Sequence, residues 1–307
     1  MGTIEPGGMS AEGMQGSFGT GTTPAARPRP QAHPGCADRL ATPEPLQLTV
    51  LGSASPYPRA DNPCSGYLVS HRGTRIWVDA GSGTLGPLQE HVPLADLDAV
   101  WISHLHADHC ADLLTAYYGL LFADVQRAAP LPLFAPAGTA DRLAGFLTNT
   151  AHPSQRSPVE SAFRITELHD GHQTVVGSLR LTSRAVEHGM PAFALRVDAD
   201  GGSLVYSGDT APCPALTQLA GGCDALLCEA DSAGEPVDGE KVHHTPEDAA
   251  ATALASRAGR LLLTHVGPFL SPAEAVQRAA DRYSGAVDYA GPGSSFTVGA
   301  ADREAAS

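Results

Sequence analysis

Three imidazoles and one carboxylate crowd into six positions of this 307-residue chain, His104-Leu105-His106-Ala107-Asp108-His109. They follow the apolar run Ala99-Val100-Trp101-Ile102, which reads as a strand, so the cluster falls on the loop at that strand's end. Such a loop aims alternate side chains at different centres. His104 and His106 can then serve one metal ion, and Asp108 and His109 a second. Imidazole and carboxylate donors suit zinc and accept manganese or iron. A solvated polar loop would account for a single histidine, but four ligand-type residues at this spacing point to metal.

Further ligands should stand at the ends of later strands, and they do. His188 follows Ala185-Val186-Glu187, Asp209 follows Leu204-Val205-Tyr206-Ser207-Gly208, and His265 follows Leu261-Leu262-Leu263-Thr264. Earlier strands are expected at 46–51, 66–70 and 74–79, the last running into Asp79-Ala80-Gly81, where glycine permits a sharp turn. Leu113, Leu114, Tyr117, Leu120 and Leu121 recur at helical spacing, which also puts Tyr117 and Tyr118 in the core. A helix is expected at 137–149, strands between 162 and 207, and a helix after Pro212. Thr245 and Pro246 read as cap and first position of another helix, and Ser271 to Glu274 as the start of a last one. Two short strands at 286–298 complete the domain. Residues 1–45, rich in Gly, Pro, Ala and Ser, read as disordered, 46–299 as the folded domain, and 300–307 as a frayed tail. Loops at 53–65, 117–131 and 150–160 are expected to shape the pocket.

Nineteen Lys and Arg against 33 Asp and Glu give a formal charge of −14, which counts against nucleic-acid phosphates. Arg59 and Lys241 are the basic residues expected near the site. No run approaches the length of a membrane span, and no basic-then-apolar leader is seen, so no membrane is expected. The six cysteines form no C-x-x-C pair and read as reduced thiols of a cytoplasmic protein, with Cys110 and Cys228 packing rather than binding metal.

The pattern His104-x-His106-x-Asp108-His109 resembles the metal signature of the metallo-β-lactamase superfamily, and Asp79, His188, Asp209 and His265 match its remaining motifs in order, over residues 46–298. The resemblance implies an α/β fold, a single-domain four-layer αββα sandwich with the metal site at one edge. It implies that His104, His106 and His188 hold one divalent ion and that Asp108, His109 and His265 hold the other. Asp209 bridges them, and Asp79 orients ligating histidines from behind. Two such ions share a hydroxide that attacks phosphorus or an acyl carbon. Oxygen-reducing di-iron relatives usually carry Glu where His106 stands, which favours hydrolysis here.

Residues 51–56 and 59–65 resemble the opening of the tRNA 3′-processing endonuclease group. His243-His244-Thr245-Pro246-Glu247-Asp248-Ala249-Ala250 resembles its histidine motif, with His244 in place of the usual serine. The pair can also be read as a polar helix cap. By the resemblance, His243 is the general acid that protonates a leaving alkoxide, Glu229 orients it, and Asp108 joins them as a catalytic residue; His244 is the alternative acid. Only 20 residues lie between His188 and Asp209, too few for the arm that many such enzymes use to grip tRNA. The whole pattern, including Ser103 to Cys110 and Tyr206 to Thr210, resembles actinobacterial atypical cyclic-nucleotide phosphodiesterases. The expected substrate is therefore a small phosphodiester and not a large nucleic acid. A thioester, lactone or other acyl hydrolase, a tRNA 3′-endonuclease and a metal binder without catalysis are the alternatives. Relatives are often dimers, so a homodimer is the expected assembly.

Overall fold

The computed structural model describes residues 43–122, 127–147, 159–236 and 239–299. The disorder expected of 1–45 therefore falls, for 1–42, outside the described residues, as does the tail at 300–307. Thr42–Ser307 groups as one unit.

Fourteen strands form two seven-stranded sheets among the described residues. The first sheet contains β1 (Leu46–Gly52), β2 (Gly66–His71), β3 (Thr74–Ala80), β4 (Ala99–Trp101), β5 (Leu131–Ala135) and β6 (Phe163–Glu167) in that order, with β14 (Ser295–Val298) outside β1. The second runs β13 (Ala286–Tyr289), β12 (Arg260–Val266), β11 (Ala225–Ala230), β10 (Gly202–Tyr206), β9 (Ala192–Ala199), β8 (Leu179–Val186) and β7 (Gln173–Val176). The two strands expected to finish the domain thus part company, β13 to one sheet and β14 to the other. Each sheet is antiparallel on one side and parallel on the other. The change comes at β3 and β4 in the first, and at β10 and β11 in the second.

Period-two alternation explains how each strand serves two cores. Ile76 and Val78 of β3 face between the sheets and Trp77 faces the helices outside, where the register shift at Asp79 also turns Ala80. Leu262 of β12 joins the inner core, and Leu261 and Leu263 the outer one. The helices α1 (Leu85–His91), α2 (Ala107–Cys110), α3 (Asp112–Phe122), α4 (Thr139–Leu147) and α5 (Val159–Ala162) belong to the first sheet's side. On the outer face of the second sheet lie α6 (Pro214–Leu219), α7 (Pro246–Ser256) and α8 (Pro272–Ala280). The result is the αββα sandwich. Trp101 ties the sheets together through the interior, its indole N–H donating to Ser183 Oγ of β8 at 3.0 Å.

Three expectations need correction. Asp108 and His109, expected on a loop, lie in the short helix α2 ahead of α3. Tyr117 is buried, but Tyr118 is 54% exposed, because consecutive helical residues point about 100° apart. Strand β5 was not expected, since Pro132 interrupts its pattern and proline reads as a strand breaker.

Leu262→Ala, which opens a void between the sheets, is expected to cost about 2–5 kcal/mol in denaturant unfolding. Leu254→Ala, on an α7 side chain that is 58% exposed, should cost less than about 0.5 kcal/mol. Equal losses would mean that the inner core does not carry the fold.

Candidate metal centre

Six strands deliver polar residues to one edge of the sandwich. Asp79 lies near the end of β3, His104 follows β4, His188 follows β8, Asp209 follows β10, Glu229 lies near the end of β11 and His265 near the end of β12. His106, Asp108 and His109 come from the β4 loop and the first residues of α2. Asp79 and His265 hold left-handed φ values of 53° and 48°, strained for residues with a Cβ. Gly81 acts by close approach and not by an unusual turn, because a Cβ there would stand 2.1 Å from the Asp108 carbonyl oxygen.

The donors fall into groups. His104, His106, His188 and Asp209 each bring one atom within 4.8 Å of the others, as do Asp108, His109 and His265. In the first group His106 Nδ1 lies 2.9 Å from His104 Nε2 and 3.3 Å from His188 Nε2. Asp209 Oδ2 spans both, 3.7 Å from His104 Nε2 and 3.3 Å from the Nε2 atoms of His109 and His265. Asp108 Oδ2 lies 3.7 Å from His109 Nε2 and 3.8 Å from His265 Nε2.

Hydrogen bonds behind the rings fix their tautomers. The Asp79 carboxylate can only accept, so His109 Nδ1 donates to it at 2.7 Å and leaves Nε2 to face the group. The Val242 carbonyl does the same for His188, accepting from Nδ1 at 3.0 Å. Ser103 spends its proton on Asp79 Oδ2 at 2.8 Å, so His104 Nδ1 donates to Ser103 Oγ at 3.0 Å. Ser65 Oγ sits 2.8 Å from His265 Nδ1. His104 and His188 thus turn bare lone pairs towards one point. His109 Nε2 and Asp209 Oδ1 are buried without a hydrogen-bond partner. Convergent lone pairs and orphaned acceptors at low exposure call for a cation, and the nitrogen and carboxylate donors fit two divalent ions.

Electrostatics agree. Burial and the neighbouring charge of His109 hold His104 well below the usual histidine range, and burial and His188 lower His106. Burial opposes charge on His109 and His265 too, but Asp209 outweighs it and raises both. Asp209, which burial would raise, is held well below the carboxylate range by His109, His265 and His104.

Beside these groups, His243 Nδ1 donates to Glu229 Oε1 at 2.9 Å. Glu229 is fully buried, and it also accepts from the Thr210 and Asp231 backbone N–H groups at 2.9 and 3.1 Å. Both its oxygens are engaged, so it positions His243. Burial works against charge on that ring, but the hydrogen bond and charge of Glu229 hold it up at about 9. His244 is fully buried, with Nδ1 2.7 Å from the Thr210 carbonyl and Nε2 3.2 Å from Thr252 Oγ1, away from any role as proton donor. The capping box of Thr245 and Asp248 sets this register at the start of α7.

A cavity of about 490 Å³ opens over the groups, its polar lining including His106, Asp108, Asp209, Asp231, His243 and His265. The stretch 117–131 contributes nothing to it among the described residues, since its first part is helix α3; most of 150–160 lies outside them. Ser55 and Pro56 and, unexpectedly, Pro268 and Phe269 supply wall instead. Arg59 stacks on Tyr57, its guanidinium 4.1 Å from the ring centroid, and Lys241 pairs with Glu235 and Asp248 at 2.5 and 2.8 Å; neither lines the cavity. Cys110 packs in the outer core, and burial pushes its thiol up to about 11. Sequence reasoning missed Ser65, Ser103, Tyr206 and Asp231. Ser103 and Tyr206 stand inside quoted motifs, but nothing in their type announces the carboxylate that they share.

Residues 74–266 match the model of the beta-lactamase superfamily domain. An uncharacterized protein of Mycobacterium leprae is 32% identical over 88% of this chain and 94% of its own length. A ribonuclease Z of Mycobacterium tuberculosis is 30% identical over 79% of this chain and 94% of its own. The crystal structure of the metallo-beta-lactamase fold protein YhfI from Bacillus subtilis matches with a TM-score of 0.71 at 24% identity, covering 82% of this chain and 99% of that one.

Asp209→Ala is expected to drop zinc content, read by elemental analysis, from about two ions per chain to one or fewer. Asp79→Asn should keep the ligands and weaken metal affinity by about 10–100-fold. Full occupancy in Asp209→Ala would exclude a shared carboxylate.

Proposed function

The chain belongs to the beta-lactamase superfamily, and from that premise we propose that it is a hydrolase using two divalent metal ions, zinc foremost, to cleave a small phosphodiester of the cyclic-nucleotide class. The observation that carries the phosphodiester reading is His243, a cavity-lining imidazole held by a buried carboxylate. Alkoxide is a poor leaving group and needs a proton, whereas a thiolate leaves without one.

His104, His106 and His188 would hold one ion, Asp108, His109 and His265 the other, and Asp209 both. When bound, the two ions supply Lewis acidity and a water made acidic enough to attack at neutral pH. The residues of the chain do the rest. Asp108, on the cavity wall, is placed to accept a hydrogen bond from the attacking water and so to orient it. As the new P–O bond forms and the ester P–O bond breaks, His243 gives its proton to the departing oxygen. Glu229 keeps Nδ1 of that ring as a donor to itself, so the other nitrogen serves the substrate.

Two observations support a small substrate over RNA, although the ribonuclease Z relative acts on RNA by its name. No lysine or arginine stands among the described residues lining the cavity, while three aspartates do. A polyanion would meet no cationic track there. The interval between His188 and Asp209 is filled by β9 and β10, which pair directly as a hairpin.

His243→Ala is expected to retain metal and lose about 10²–10⁴-fold in kcat on cyclic AMP. It should lose far less on bis-p-nitrophenyl phosphate, whose phenolate leaves unaided. Equal losses on the two would remove His243 as proton donor. Turnover of an acyl thioester with no phosphodiester cleavage by wild-type protein would place the enzyme among the acyl hydrolases.

A further inference from the structure

Phe269 is 90% exposed, although it stands four residues beyond His265 and lines the cavity. A large apolar ring left in water at the mouth of a polar site gains nothing from the fold. Nor is its segment slack. A Cβ on Gly267 would lie 2.0 Å from the Asp231 carbonyl oxygen, so the chain here is pressed against the end of β11. On the other side Leu270 is buried and donates its N–H to the Gly267 carbonyl at 3.2 Å, and Ser271 caps α8 by accepting from Glu274 N. The ring is thus anchored on both sides while it stays bare itself.

The same aspartate secures the other apolar wall. Asp231 Oδ1 accepts from Ser55 Oγ at 2.5 Å, and the next residue is Pro56, which lines the cavity together with Pro268. Asp231 therefore couples the β1 loop and the β12 loop, and with them Pro56, Pro268 and Phe269. At about 490 Å³ the cavity exceeds the needs of a bare phosphodiester group and lies in the range that encloses a small organic molecule.

We propose that Phe269, flanked by Pro56 and Pro268, is a stacking platform for a flat heteroaromatic ring of the substrate, the nucleobase, and so sets preference for nucleotides over other phosphodiesters. The proposal rests on the phosphodiester reading and deepens it. The reacting phosphate occupies the polar floor, and the organic substituent that stays on phosphorus extends towards the rim. An aromatic face attracts every base by stacking, with little choice among them, so purine and pyrimidine nucleotides are both accepted.

The test compares binding of AMP and ribose 5-phosphate to zinc-loaded full-length protein by calorimetry, which needs no turnover. Wild type is expected to bind AMP about tenfold more tightly than ribose 5-phosphate. Phe269→Ala should bring the two affinities together without changing zinc content, and Phe269→Trp should restore the difference. Equal affinities in wild type, or a difference that survives in Phe269→Ala, would overturn the platform. Wild-type protein that prefers AMP through Phe269 yet cleaves no phosphodiester would retire the phosphodiester reading and leave the platform standing.

Discussion

The carboxylate of Asp79 is wholly buried and holds the two halves of the molecule in register. It accepts from the Ser103 backbone N–H at 2.7 Å, from Ser103 Oγ at 2.8 Å, from His109 Nδ1 at 2.7 Å and from Tyr206 Oη at 2.7 Å. A buried carboxylate is costly unless donors surround it, and these four come from both sheets. Ser103 and His109 belong to the loop after β4, whereas Tyr206 ends β10 on the opposite sheet. Burial and Asp79 together push the Tyr206 phenol well up, so it remains a donor. The backbone strain at Asp79 is therefore opposed by a set of bonds that only this conformation completes. If that carboxylate moved, the β4 loop would lose the anchor that points His104 and His109 at their neighbours.

Much of the candidate centre was legible in the chain because ligand-type residues cluster where strands end. His104 to His109 are contiguous, Asp209 and His265 each follow a run too apolar to be anything but a buried strand, and His188 follows the alternating, half-buried β8. His243 and His244 could not be told apart, since adjacent residues share every local signal. What separates them is the start of α7, which turns His244 inwards to Thr252 and leaves His243 to Glu229. Ser103, Ser65 and Tyr206 were invisible for a different reason. Serine and tyrosine are common at strand ends, and their roles come from partners as much as 200 positions away. The cavity wall was placed rightly at 53–65 but misplaced at 117–131, whose first part continues helix α3, while the five-residue connection that carries Pro268 and Phe269 is short and apolar.

Charge bears on how so acidic a chain could serve the anionic substrate proposed for it. Three aspartates line the cavity, the buried Asp209 among them, and Asp79 is buried behind it. Two divalent ions held at these groups would offset this charge. Attraction for the proposed phosphodiester would then reside at the floor alone. That arrangement favours a substrate with one anionic group and an otherwise neutral body, and it penalises one with charge along its length.

The same geometry makes metal binding a property of the whole sandwich. One group takes His104 and His106 from the first sheet and His188 and Asp209 from the second. The other takes Asp108 and His109 from the first and His265 from the second. Neither sheet holds a complete set, so an ion bound at either position joins the two sheets by coordination as the inner core joins them by packing. Ions that bind only the assembled state stabilise it in proportion to their affinity. The site edge is also where both sheets pass from antiparallel to parallel pairing, and parallel strands leave their carboxyl ends side by side. Ligands gather there because each sheet brings several strand ends to one rim, and the Asp79 bonds hold the two rims together.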